Sequence, residues 1–183
     1  PRRSQRERRE ASRAAILAAA REEFLDREFG SVTLEDIADR AGLTRGAVYH
    51  QFRDKLDVFS AVVMAEAVSV REIIGASMRA VDHPIERLWV GCGLYLDMIT
   101  DVRIMRMIHV DHPAAYGVDR WTLESPWLDD VETMLREAVE RGLLRDMPVR
   151  ALARLVLAFI RESIVAFVFA TDRRAVRDEM MSA

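Results

Sequence analysis

The side chains best suited to bind a charged partner lie close together between positions 44 and 55. They combine hydroxyl, guanidinium, phenol, imidazole and ammonium groups: Thr44, Arg45, Tyr49, His50, Arg53 and Lys55. Groups of these types donate hydrogen bonds to phosphate oxygens and to base edges. Asp54 is the single carboxylate among them. This composition favours contact with a polyanion such as a nucleic acid.

His109, Asp111 and His112 form a second group that could bind a metal ion. Two imidazoles three positions apart on a helix can reach one ion, but no Cys or Glu cluster accompanies them and the helical pattern ends there. The sequence also lacks a P-loop, a glycine-rich dinucleotide turn and a Ser/His/Asp set at recognisable spacing. A metal site and an all-helical enzyme are therefore the less favoured alternatives, and no cofactor is expected.

Charge is unevenly distributed along the chain. The 183 residues have a formal net charge of −3, yet residues 1–13 carry six Arg against two Glu. Residues 61–183, in contrast, carry 15 basic and 19 acidic side chains. A basic end on an acidic body fits a segment that contacts phosphate, although a solvated, frayed N-terminus would give the same pattern.

Helical periodicity extends over almost the whole sequence, and no segment alternates as a half-buried strand would. The chain is therefore predicted to be all-α. A first helix is expected from Ser4 or Ser12 to Phe29, with Gly30 as its C-terminal stop.

Two short helices separated by a tight turn are predicted next. Thr33 is placed to cap a helix that ends near Ala41. Gly42 can adopt the left-handed conformation that redirects the chain, and Thr44 can cap the following helix. This is the pattern of a helix-turn-helix, whose second helix enters the major groove of DNA. An ordinary helical hairpin is the alternative, but it would not require cationic side chains on the second helix, nor Gly46 there, where glycine costs about 1 kcal/mol relative to alanine.

The segment from Thr33 to Lys55 resembles the DNA-binding domain of the TetR/AcrR family of bacterial repressors. The matching residues are Thr33-Leu34-Glu35-Asp36-Ile37-Ala38, Ala41 to Phe52, and Lys55. The resemblance covers about residues 10–60 and implies a recognition helix over 44–50. Gln51 departs from the pattern, because the family usually has a His there that helps to hold the backbone.

The resemblance also implies roles for individual residues. Arg45 and Gly46 would face bases, while Lys55 would pair with a phosphate. Thr44, Tyr49 and His50 would meet phosphates or thymine methyl groups. The predicted DNA-binding residues are Thr33, Thr44, Arg45, Gly46, Tyr49, His50 and Lys55.

The rest of the chain is predicted to form a helical body, joined to the three-helix head by a long fourth helix. The expected elements are helices from Asp54 to about Ala80, from Pro84 to Thr100 and from Asp101 to near Val110, a loop through 111–117, a brief helix around Trp121, a helix from Ser125-Pro126 to Gly142, and final helices over about 148–170 and from 172 onward. A DNA-binding domain over 1–53 and an effector-binding and dimerisation domain over 54–183 follow from this division.

The penultimate helix is apolar on more than one face, which exceeds what a surface helix buries against its own core. The predicted dimer interface is Leu152, Leu155, Phe159, Ile160, Ile164 and Phe167. In TetR-like proteins the last two helices form such an interface, and a two-fold dimer would place two recognition helices about one DNA turn apart. A purely intramolecular core is the alternative.

Aromatic and sulfur-containing side chains are frequent in the body. By the resemblance they fall on helices around an effector cavity, and such walls suit an adaptable apolar pocket. The predicted ligand-binding residues are Trp89, Tyr95, Met98, Met105, His109, Trp121, Trp127, Phe159 and Ser163, with His109 and Ser163 as polar anchors. Plain core packing is the alternative for each.

These observations predict a ligand-responsive transcriptional regulator: a repressor that binds a palindromic operator as a homodimer and is released by a small, largely apolar effector. An architectural DNA binder would need only the head and a basic surface, which the acidic body argues against. The sequence has neither an apolar run of about 18 residues nor an apolar leader, so no membrane contact is expected and the cytosol is the expected compartment.

Overall fold

The computed structural model describes residues 4–97, 101–117 and 125–182. Its elements within these ranges are helical and include no strand, which confirms the all-α prediction. The helices are α1 (Gln5–Asp26), α2 (Leu34–Ala41), α3 (Arg45–Gln51), α4 (Lys55–Met78), α5 (Pro84–Asp97), α6 (Val102–Arg106), α7 (His112–Tyr116), α8 (Leu128–Glu140), α9 (Val149–Phe169) and α10 (Arg173–Ser182). A 3-10 turn covers Phe29–Ser31 and a π-helical turn covers Met107–Asp111.

Helix α1 begins at a capping box and ends earlier than the sequence suggested. Ser4 Oγ accepts from the Glu7 amide at 3.2 Å, and Glu7 Oε2 accepts from the Ser4 amide at 2.7 Å. The prediction that Gly30 ends this helix was wrong, because Arg27 is already extended and Gly30 lies in the 3-10 turn without a positive φ. The Arg27 guanidinium then pairs with Asp36 of α2 at 3.0 Å.

The α2–turn–α3 unit has the predicted caps. Thr33 Oγ1 accepts from the Asp36 amide at 3.1 Å, and Asp36 Oδ2 accepts from the Thr33 amide at 2.9 Å. The hydrogen bonds from Thr33 hold the pKa of Asp36 below its usual range. Gly42 has a φ of 65°, and Thr44 Oγ1 accepts from the Ala47 amide at 3.2 Å. The sequence therefore predicted this helix-turn-helix residue by residue.

Helices α1 to α3 and the first half of α4 surround one hydrophobic core. Phe24 and Phe59 lie at its centre with ring centroids 4.5 Å apart, and Val48 of α3 packs into it. Met107 and Ile108 of the π-helical turn belong to the same core. The C-terminal part of the chain thus contributes side chains to the core beneath the helix-turn-helix.

The segment around this turn differs from the prediction. A helix ending near Val110 and a loop through 111–117 were expected, but helical turns continue to the end of α7. Pro113 does not interrupt them because it lies in the first turn of α7, where a missing N–H is tolerated. Gly117, with a φ of 102°, follows α7. The helix expected around Trp121 lies outside the described residues.

Helices α8 and α9 pack together, and α5 lies against both α4 and α8. Buried Leu128, Val131 and Leu135 of α8 meet Ala153 of α9. Gly142, with a φ of 71°, follows α8 as predicted, and α9 and α10 lie where the final helices were expected. Among the described helices, none is long and apolar enough to cross a membrane.

Candidate DNA-binding surface and ligand cavity

Helix α3 presents one polar surface to solvent. Val48 is fully buried, whereas Thr44, Arg45, Tyr49 and His50 are exposed. Tyr49 is 46% exposed although its ring is large and largely apolar. Four of the predicted DNA-binding residues are therefore brought together on one accessible surface.

The Arg45 side chain is held against this surface by two contacts. Its guanidinium forms an ion pair with Glu35 of α2 and donates to Tyr49 Oη at 3.2 Å. The guanidinium also lies 5.3 Å from the centre of the Tyr49 ring. A base edge or phosphate would compete with Glu35 for part of this guanidinium, whose five N–H groups can serve more than one acceptor.

Gly46 has open space around it. A Cβ built at this position would meet Thr44 Oγ1 at 3.8 Å, which is ordinary contact, and its φ is not positive. Nothing in the described chain therefore requires glycine here, although glycine weakens a helix.

Two predicted DNA-binding residues also serve the fold. Lys55 Nζ donates to the carbonyls of Phe29 at 2.6 Å, Val32 at 2.9 Å and Gly30 at 3.5 Å. An ammonium group has three hydrogens, so a phosphate would compete with these bonds. Thr33 is exposed but its hydroxyl caps α2.

The basic start of α1 borders the end of α3, a contact that was not predicted from the sequence. Gln51 Nε2 donates to the Arg9 carbonyl at 3.1 Å, and the Arg13 guanidinium lies 4.3 Å from the centre of the Phe52 ring. Gln51 therefore ties two helices of the head together. The six arginines in residues 1–13 were the available signal, but composition alone could not show where α1 begins to touch α3.

The body contains a cavity of about 870 Å³ between α4, α5, the π-helical turn, α8 and α9. Tyr95, His109 and Trp127, three of the predicted ligand-binding residues, line it. Its apolar wall includes Ile74, Met78, Leu88, Val131, Met134 and Leu157. A cavity of this volume is within the range of small-molecule sites.

The other predicted ligand-binding residues lie elsewhere. Trp89, Phe159 and Ser163 line a second groove, of about 450 Å³, between α5 and α9. Met105 is 2% exposed and packs in the core of the body. These four residues therefore do not line the cavity of about 870 Å³, and their part in ligand binding stays a prediction. Met98 and Trp121 lie outside the described residues.

Tyr95 and His109 form a buried polar pair in the cavity wall. Tyr95 Oη and His109 Nε2 are 2.5 Å apart. Burial, assisted by the positive charge of Arg161, lowers the pKa of His109 to about 3, and burial raises the pKa of Tyr95 above its usual value. Both side chains are therefore neutral near pH 7. His109 Nδ1 is buried and has no hydrogen-bond partner within the described residues.

His112 lies apart from His109. Its Nε2 is 3.0 Å from Ser60 Oγ of α4, and its ring centre is 5.4 Å from that of Phe59. The two imidazoles therefore contact different partners. In residues 4–97, 101–117 and 125–182, no three candidate metal ligands are grouped.

An exposed apolar strip runs along α5 and α9. It is formed by Trp89, Leu155 and Phe159, whose exposures are 61%, 67% and 62%. Large apolar side chains exposed side by side mark surfaces that bind another molecule. Two of the residues predicted for the dimer interface, Leu155 and Phe159, are therefore available for contact.

Other predicted interface residues are enclosed by their own chain. Ile164 is 0% exposed and Phe167 is 9% exposed in the single chain, and their part in a dimer interface stays a prediction. Leu152 and Ile160 are partly buried. Apolar residues occupy several faces of α9, so the sequence could not show which of these faces packs against the rest of the body.

Five arginines line the cavity and were not predicted as site residues: Arg71, Arg79, Arg87, Arg154 and Arg161. Arg154, Leu157, Ala158 and Arg161 have the i, i+3, i+4, i+7 spacing of one helix face. The sequence therefore contained a pattern that could have indicated a polar lining on this face of α9.

The π-helical turn joins the cavity to the head. His109 lines the cavity, while the preceding Ile108 packs in the head core. Arg106 Nη2 donates to the Phe24 carbonyl at the end of α1 at 3.1 Å, and its Nε donates to Asp111 at 3.1 Å. A displacement of the cavity wall would therefore act directly on side chains that hold α1.

The fold and these surfaces define a helix-turn-helix protein with a helical, cavity-containing body. Two family models match it: bacterial regulatory proteins of the tetR family over residues 16–62, and the tetracyclin repressor-like C-terminal domain over residues 85–183. The chain belongs to the TetR family of transcriptional regulators.

Individual relatives agree with this assignment. The HTH-type transcriptional repressor BepR of Brucella suis is 44% identical over 73 residues, 40% of this chain and 34% of BepR, so the chain spans about a third of that relative. The HTH-type transcriptional regulator TtgR of Pseudomonas putida is 31% identical over 76% of this chain and 71% of TtgR. A crystal structure of a TetR-family regulator from Pectobacterium atrosepticum has a TM-score of 0.79 at 25% identity, covering 98% of this chain and 93% of that one. These relatives are transcriptional regulators.

Proposed function

We propose that the protein is a ligand-responsive repressor that binds a palindromic operator as a homodimer and is released by a small, largely apolar effector. The polar surface of α3 carries the proposal. Arg45, Tyr49 and His50 offer groups that bind base edges and phosphates, and exposed Gly46 allows the helix backbone to approach DNA closely.

The exposed apolar strip supports the dimer. A two-fold interface uses the same patch on both subunits, and Leu155 and Phe159 provide an exposed apolar patch within the described part of the chain. Two α3 helices would then contact half-sites about 34–36 Å apart, one turn of DNA.

The cavity supports release by an effector. A ligand that binds one arrangement of the body more tightly shifts the population toward that arrangement. A ligand that contacts His109 would shift the position of the π-helical turn. Arg106, which is hydrogen-bonded to the end of α1, and Ile108, which packs in the head core, would then move the head. The spacing of the two α3 helices would no longer match the operator.

Selection of bound DNA from a random pool tests the proposal. We expect an inverted repeat with half-sites about one turn apart. Arg45→Ala and Tyr49→Ala should each weaken binding to it at least ten-fold while the helical circular dichroism is retained. Arg136→Ala, which removes an exposed arginine from α8, is the control. A pool without an inverted repeat, or wild-type affinity in both α3 variants, would contradict the proposal.

A further inference from the structure

The cavity has the opposite charge to the chain. Five arginines and two carboxylates, those of Glu72 and Asp130, line it, whereas the whole chain has a net charge of −3. Two of the arginines are neutralised, because Arg71 pairs with Asp130 and Arg87 pairs with Glu137. Glu72 offsets part of the charge of the other three arginines, and an excess of positive charge remains.

Arg79, Arg154 and Arg161 form no side-chain hydrogen bond or ion pair with the described part of the chain. Arg79 and Arg154 are exposed and water can solvate them, whereas Arg161 is partly buried. A guanidinium withdrawn from water without a counter-ion loses solvation that only an anion or hydrogen-bond acceptors can replace. Arg161 is thus the least exposed of the three cavity arginines that have no ion-pair partner among the described residues, and an anion in the cavity would be a suitable counter-ion for it.

Arg161 forms no ion pair with a carboxylate of the described residues, although Glu72 and Asp130 line the same cavity. The nearby Tyr95–His109 pair is neutral, and the positive charge of Arg161 itself helps to keep His109 unprotonated. Trp127 closes the same region, with its ring centre 5.2 Å from that of Tyr95. Around Arg161 the cavity therefore combines a cation that has no ion-pair partner among the described residues with neutral aromatic walls.

The remainder of the lining is apolar. Ile74 and Met78 of α4, Leu88 of α5 and Leu157 of α9 provide a surface for a hydrophobic group. We propose that the effector is an amphipathic organic anion, whose acidic group binds Arg161 and whose apolar body packs against these side chains. This proposal names the ligand class of the cavity, and it depends on the proposed function only for the claim that the ligand controls DNA binding.

Two dyes with the same apolar body separate the anionic site from general hydrophobic binding. 1-Anilinonaphthalene-8-sulfonate carries a sulfonate, whereas N-phenyl-1-naphthylamine does not, and both fluoresce when bound in an apolar site. In fluorescence titrations we expect Arg161→Met to raise the Kd of the sulfonate dye roughly ten- to a hundred-fold, the range for loss of a hydrogen bond to a charged group. The Kd of the neutral dye should change by less than about two-fold.

Two further variants sharpen the test. Arg161→Lys keeps the charge but loses the planar fork, so it should restore part of the affinity for the sulfonate dye. Arg136→Met removes an arginine outside the cavity and should leave both dyes bound as in the wild type. An unchanged Kd for the sulfonate dye in Arg161→Met, or equal weakening of both dyes, would overturn the proposal.

A gel shift on the same samples keeps this result distinct from the proposed function. If binding of the sulfonate dye depends on Arg161 but the dye leaves operator affinity unchanged, the anion site stands and control of DNA by such ligands fails. If the protein binds no DNA, the dye titrations still decide the anion site.

Discussion

Gly46 lies in the first turn of α3 with open space for a Cβ. Gly46→Ala should therefore raise the free energy of unfolding by about 0.5 to 1 kcal/mol, because alanine favours the helix. The same methyl group would stand between the α3 backbone and DNA, so operator affinity should fall about ten-fold. Urea unfolding and gel shifts measure the two effects separately.

Gly75→Ala is the matched control. Gly75 also lies in a helix with nothing within 4 Å of an added Cβ, but on α4, away from the α3 surface. It should show a similar gain in stability with unchanged operator affinity. Equal DNA binding by both variants and the wild type would show that Gly46 does not permit a close approach.

Glu35 competes with DNA for Arg45. Glu35→Gln removes the ion pair and a negative charge near the phosphates, so operator affinity should rise about two- to five-fold, the range of an exposed pair. Asp39→Asn removes an exposed charge from the same helix without freeing Arg45 and should have a smaller effect. Fluorescence anisotropy with labelled operator measures the affinity of both variants. Equal gains in affinity would show that only the loss of a negative charge matters, and not the release of Arg45.

The residue-level predictions succeeded where partners are local. Thr33, Gly42 and Thr44 act within three residues of themselves, so their types and spacing indicated the caps and the turn. Lys55 bonds to a carbonyl 23 residues away, and Arg161 of α9 lines the same cavity as Tyr95 of α5. Such roles depend on tertiary packing and could not be predicted from spacing.

At the scale of elements, Arg106 fastens the segment that carries His109 to the end of α1. It donates to the carbonyls of Phe24 at 3.1 Å and Arg27 at 3.4 Å, groups that no later turn of α1 can satisfy. Arg106→Met should lower the free energy of unfolding by about 1 to 3 kcal/mol, the cost of losing hydrogen bonds to a charged group. Hydrogen exchange should also quicken in the segment over 102–116.

Arg103→Met is the control for this element. Arg103 lies on the same helix, but its pairs with Asp26 and Asp101 are at the surface, where such pairs contribute little. Its variant should lose less than about 1 kcal/mol and retain slow exchange. A similar loss in both variants would show that Arg106 has no special part in joining body and head.

The elements were predicted best where a cap or glycine marks their ends. Helices α2, α3 and α9 agree with their expected bounds to within a residue or so, whereas Gly30 and the stretch 111–117 misled the prediction. For the stretch 111–117, tertiary contacts of the preceding residues determine the conformation more than the local sequence does. Met107 and Ile108 are drawn into the head core, which keeps the chain helical where a histidine and a proline suggested a loop.

At the scale of the whole molecule, α9 serves two surfaces at once. Arg154, Leu157 and Arg161 face the cavity, while Leu155 and Phe159 are exposed on an adjoining face. A ligand in the cavity and a partner subunit would therefore contact the same helix. Any tilt of α9 on ligand binding would alter the relation between the subunits as well as the wall of the cavity.

Phe159→Asp tests whether this exposed face holds two subunits together. A carboxylate at a side chain that is 62% exposed should leave the monomer folded, but burying it against a second copy would be costly, so we expect a monomer by size exclusion with light scattering at micromolar concentration. Because one α3 contacts only one half-site, affinity for the full operator should fall more than ten-fold while affinity for a single half-site is retained. Leu143→Asp changes an exposed residue after α8 that lies outside the strip, so this variant should keep the oligomeric state and the operator affinity of the wild type. A dimer that persists in Phe159→Asp, or a wild-type protein that is already monomeric, would refute this interface.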